Sequence, residues 1–242
     1  MDPQDPIAPT PQGMRAADSR FVAAPIAYLA GDDAPLPRGG PLALVEGVLT
    51  HPANVMHEHR HRPRTAAKLA LIVAISMAAT GLCLAAFGGG AQLLVVPLKL
   101  ALGMALCALI CLPSLHIFSA LSGGRVSIRD TSGALLVGLA LTSVLLVGFV
   151  PIAWLFSQAT DSAPVVGALH LVFFLVSAFF GLRLTRRAIV ASTGRRVPVL
   201  ALWSVLFVLV VVQMSTTLRP LVGPFAGLAL APRAFFLVHW LS

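Results

Sequence analysis

Residues 69–87 read LALIVAISMAATGLCLAAF and run into Gly88-Gly89-Gly90. The stretch carries no charge, and a hydrocarbon core of about 30 Å is crossed by roughly 20 apolar residues in a helix. It therefore reads as a transmembrane helix stopped by glycine. Four further stretches read the same way. Residues 93–121 are long enough to tilt and contain Pro97, Lys99 and Pro113, and residues 134–156 have Pro151 near their end. Residues 165–182 are shorter, and residues 198–214 make the fifth span. Residues 221–240 are apolar but interrupted by Pro224, Pro232 and Arg233. They read as a membrane-lying or re-entrant tail, with a sixth span as the alternative.

Composition agrees. The 242 residues are 57% hydrophobic and 11% charged, against about 25% charged in soluble chains, and mean hydropathy is +0.90. The expected fold class is an all-α integral membrane protein, a five-helix transmembrane bundle over residues 66–217. A net charge of +8 in so apolar a chain points to Lys and Arg beside an anionic bilayer face. Nucleic acid is not an expected partner, because basic and aromatic residues do not interleave and there is a single Tyr. Cys83, Cys107 and Cys111 lie in apolar runs and read as small buried hydrophobes.

Residues 1–40 read as a disordered cytoplasmic tail: Pro3, Pro6, Pro9, Pro11, Pro25, Pro35 and Pro37 remove donors, and little apolar surface offsets ordering entropy. With no basic n-region or apolar h-region there, the first span is expected to be a retained anchor. Residues 41–65 form one or two short amphipathic helices interrupted at Pro52. They lie along the bilayer surface or pack against the protein's own loops, and the pattern leaves both open.

Loop charges alternate. Arg60, Arg62, Arg64 and Lys68 precede the first span, Arg125 and Arg129 follow the second, and Arg183, Arg186, Arg187, Arg195 and Arg196 follow the fourth. The two remaining loops, 88–92 and 157–164, contain neither Lys nor Arg. By the positive-inside rule the N-terminus is cytoplasmic, in a cell inner membrane, and after five spans the C-terminus is outside.

His57-Glu58-His59-Arg60-His61 satisfies H-E-x-x-H, which on a helix sets two imidazoles on one face with a general base between them. Arg60 would repel a metal ion, Pro63 leaves little helix, and no Glu follows Glu58 to serve as third ligand. On this topology Asp161 and His239 fall on the wrong side. No metal, cofactor or catalytic residue is expected, and a membrane-embedded zinc hydrolase using His57 and His61 stands as the alternative. Lys99 and His116 are the intramembrane polar candidates; a channel or uncoupled transporter running past them is the further alternative. No carboxylate lies inside a span, which argues against proton or sodium coupling. The arginines around Ser192-Thr193-Gly194, helped by Arg125 and Arg129, are candidates for docking phospholipid headgroups or an acidic partner segment, with the Gly194 amide closing an anion-binding turn. Simple charge-anchoring is the competing reading. Ser76 and Thr80, Gly138 and Thr142, and Ser177 and Gly181 place small residues four apart, as close helix contacts require.

Two resemblances add to this. Val48-Leu49-Thr50-His51-Pro52 before the first span and Leu121-Ser122-Gly123-Gly124-Arg125-Val126-Ser127 between spans two and three resemble the Yip (Ypt-interacting protein) family over residues 41–160. That resemblance implies a cytoplasmic N-terminal segment, five spans, and a role in binding small GTPases or membrane-shaping proteins. Residues 213–223, with Pro232-Arg233 and Phe235-Phe236, are similar to the C-terminus of a group of bacterial multi-span proteins. The expected function is thus non-enzymatic: recruitment of an unknown protein partner, or organisation of lipid, especially anionic lipid, at the cytoplasmic membrane face.

Overall fold

A computed structural model describes residues 40–88, 90, 92–121, 126–159, 163–194 and 198–217. The proline-rich tail before Gly40, Arg125, Arg195, Arg196 and the whole of 218–242, with its possible sixth span, lie outside the described residues. Seven helices and no strand occur among those described: α1 (Pro41–Thr50), α2 (Pro52–His61), α3 (Arg64–Gly88), α4 (Gln92–Leu121), α5 (Ile128–Ala159), α6 (Ala163–Thr193) and α7 (Val199–Thr217). Helices α3 to α6 are long and apolar enough to cross a membrane. Helix α7, the expected fifth span, is apolar over its 19 residues but shorter.

The amphipathic segment is two helices because Pro52 has no N–H to continue α1. His51 closes α1, donating its N–H to the Gly47 carbonyl, and its own carbonyl accepts the Asn54 N–H as α2 starts. Of the two placements left open for this segment, packing against the protein is the one observed. Leu44, Val48, Val55 and Met56 are buried in the same core as Leu69, Val137 and Ala140, so the hydrophobic effect fixes α1 and α2 onto the helix ends. Leu42 stays 82% exposed on the outer face.

Between apolar helices lipid competes on equal terms, and close backbone approach does the work instead. Helices α5 and α6 cross at two glycines. A Cβ on Gly138 would meet the Thr185 hydroxyl and stand 2.8 Å from the Gly181 carbonyl. A Cβ on Gly181 would meet the Thr142 hydroxyl and stand 2.5 Å from the Gly138 carbonyl. Each threonine gives its proton to the glycine one turn earlier in its own helix, Thr142 to Gly138 at 3.0 Å and Thr185 to Gly181 at 3.1 Å, so no hydroxyl is left bare in the seam. The crossing is reciprocal, and antiparallel. Gly81 of α3 similarly meets the Pro97 backbone of α4, and Gly90, at φ 59°, makes the turn between them.

Helix α7 rests on α4 through Leu200, Trp203 and Phe207, which share one face and are almost fully buried. The Trp203 indole N–H donates to the Ser114 hydroxyl at 3.1 Å, and that hydroxyl donates to the Cys111 carbonyl at 2.8 Å.

Candidate functional site

Apart from Lys99, the basic residues among those described collect at one end of the bundle. Ser127 caps α5: its hydroxyl accepts the Asp130 N–H at 3.1 Å and donates to the Asp130 carboxylate at 2.8 Å. That cap fixes Asp130 for a partner far away in sequence. Arg60 of α2 donates through Nε to Asp130 at 2.6 Å and through Nη2 to the Ser192 hydroxyl at 2.9 Å. One guanidinium thus joins α2, the start of α5 and the end of α6.

His59, beside it, is 3% exposed. It packs on Gly133, where a Cβ would come within 2.6 Å of its ring, and its Nε2 hydrogen-bonds the Arg129 carbonyl at 3.2 Å. Burial holds the imidazole below its usual pKa of 6.5; the Arg129 carbonyl opposes that shift, Arg129 and Arg60 add to it, and Asp130 works against them. The unfolded chain therefore takes up this proton at higher pH than the folded one. The stability this confers is complete above pH 6.5 and is lost as pH falls from 6.5 through the depressed value. The melting temperature in detergent is expected to fall across that interval in the wild-type chain and to fall less steeply in His59→Leu. Parallel profiles would remove His59 from the account.

The H-E-x-x-H residues are differently engaged. His57 and His61 do stack, ring centroids 4.2 Å apart, as the spacing predicts. Glu58 is held by Arg62 at 2.8 Å, however, and the His61 Nδ1 by the His57 carbonyl at 2.9 Å. Among the described residues no group of three or more His, Cys, Asp or Glu converges. Arg60, expected to crowd a metal, turns to Asp130 instead. His116 contacts α5: Thr131 gives its hydroxyl proton to the Ser127 carbonyl at 3.2 Å, which leaves its oxygen to accept from His116 Nδ1 at 3.2 Å. Lys99 lies almost five turns away, about 25 Å along α4.

The arginine-rich segment needs correction. Helix α6 continues to Thr193, so Arg183, Arg186 and Arg187 stand on a helix and not in a loop. The anion-binding turn at 192–194 is not formed. Ser192 and Thr193 hydroxyls bond back to the Ala188 and Ile189 carbonyls, and Gly194, at φ 66°, donates its N–H to the Val190 carbonyl. This is a helix C-terminus, whose exposed carbonyls repel anions.

What the arginines line is a groove of about 350 Å³ between α1 and the α5–α6 pair. Val48, Leu49 and Pro52 form one wall, Leu141, Phe180 and Leu184 the other, and Arg183 and Arg187 open onto it from successive turns of α6. Arg186 does not line it and is exposed, while Arg129 acts on His59 through its backbone carbonyl and its charge. Sequence reading missed the groove, the Ser127 cap and Thr185. The cap has the Ser-x-x-Asp spacing of a capping box variant, and Thr185 repeats the Gly138-to-Thr142 spacing. Comparison with protein-family models, curated proteins and solved structures gave no match.

Proposed function

We propose that this chain is a non-enzymatic multi-pass membrane protein whose basic end forms a cytoplasmic platform for an anionic leaflet and a protein partner. The observation that carries this is the Arg60 junction: one side chain bonds Asp130 and Ser192, which gathers Arg62, Arg64, Arg129 and the Arg-bearing end of α6 on one side. Residues 163–182 of α6 carry no Lys, Arg, Asp or Glu and span about 30 Å, the hydrocarbon thickness. On that placement Arg183 lies at the headgroup boundary, α7 crosses as a fifth span, and the N-terminal side faces the cytoplasm. The resemblance of residues 41–160 to the Yip family favours a recruiting role of the same kind.

Reporter fusions test the placement. Junctions at residues 128 and 190 are expected inside, and junctions at 90 and 161 outside. An inside signal at 90 or 161 removes the five-span arrangement and the platform with it.

A further inference from the structure

We propose that the groove between α1 and α6 is a binding site for one anionic phospholipid, its phosphate gripped by Arg183 and Arg187. The inference rests on the cytoplasmic placement of the basic end and goes on to name what that end holds.

Three features of the groove agree on this occupant. First, the charge is of one sign. Arg183 and Arg187 are one helical turn apart on the same face of α6, and no hydrogen bond or ion pair occupies either guanidinium among the described residues. A guanidinium presents a planar fork that matches two phosphate oxygens, whereas an ammonium acts as a point charge without that fixed geometry. Second, the other side chains lining the groove are apolar: Val48, Leu49, Leu141 and Phe180 suit the glycerol-ester and upper acyl region of a lipid. Third, the groove opens onto apolar surface. Leu49 is 43% and Phe180 48% exposed, so an acyl chain leaving it continues along α6 into the bilayer. A soluble phosphate compound would use the arginines and leave this apolar surface idle.

Arg186 supplies the internal comparison, because it carries the same charge on the same turn and does not line the groove. The full chain, in detergent and then in vesicles of phosphatidylcholine doped with phosphatidylglycerol, is scored for phosphatidylglycerol retention by native mass spectrometry and by spin-labelled lipid exchange. Arg183→Ala with Arg187→Ala is expected to weaken retention about tenfold, and Arg186→Ala to change it less than about twofold. The charge-preserving pair Arg183→Lys and Arg187→Lys, which keeps the platform cationic, is expected to weaken it about threefold or more. Equal losses for Arg186→Ala and the groove pair, or no loss in the lysine pair, leave charge-anchoring alone and overturn the site. Displacement of the lipid by soluble glycerol phosphate would identify a free phosphate ligand and also overturn it. A failure here with the reporter fusions as expected leaves the platform standing, whereas reversed fusions remove both.

Discussion

Gly138→Leu and Gly181→Leu are each expected to cost about 3 kcal/mol or more, a large share of the 5–15 kcal/mol that holds a typical fold together. The obstruction at each site includes a backbone carbonyl, Gly181 O for one and Gly138 O for the other, and a carbonyl inside a helix cannot rotate aside. The helices would have to part, giving up the close contact of the two backbones. Gly148→Leu is the matched control: nothing lies within 4 Å of its Cβ position, so it is expected to stay within about 0.5 kcal/mol of wild type. Unfolding midpoints in a dodecyl maltoside–SDS series would separate the three. Adding Thr185→Ala to Gly138→Ala should recover only part of the loss, since the hydroxyl leaves and the carbonyl stays. If Gly138→Leu unfolds with the wild type, the seam is not where α5 and α6 are held.

Trp203→Ala is expected to be the other severe change, at about 3–5 kcal/mol. Trp203 is 1% exposed, stacks on Phe207 with centroids 5.4 Å apart, and supplies the indole hydrogen bond that fastens α7 to Ser114. Trp203→Phe keeps most of the ring volume and loses that bond, at a cost of about 1 kcal/mol. Because α7 leans mainly on α4, the alanine variant should loosen α7 first and raise amide hydrogen exchange over residues 200–212 before the rest unfolds. Wild-type exchange over those residues in Trp203→Ala would show that other contacts hold α7.

The long apolar helices were legible because hydrocarbon thickness imposes a run length, and the uncharged stretches 69–87 and 165–182 come close to it. Helix ends were less so. An uncharged run reports where lipid begins, not where the backbone stops, so α6 was cut at residue 182 while the helix runs on to Thr193 with three arginines on it. The same error made an anion-binding turn out of a helix C-terminus. Gly138 with Thr142 and Ser177 with Gly181 each announced a close contact by spacing; Gly138, Thr142 and Gly181 do meet one another, and Thr185, which completes that seam, was not singled out. The Arg60 junction carries no local signal at all, since each of its partners sits on a helix whose position only the completed bundle decides.

That junction also imposes an order in time. Ser192 follows Arg60 by 132 residues, so at the usual 5–20 residues per second the ribosome delivers it about 7–26 s later. Early in that interval Leu44, Val48, Val55 and Met56 still lack Val137 and Ala140 of α5, which help to bury them. An amphipathic segment in that condition is favoured flat in the bilayer interface. The two readings that the sequence left open for this segment are then expected to follow one another: it rests on lipid until α5 is in place to bury it, and Arg60 ties it to α6 last.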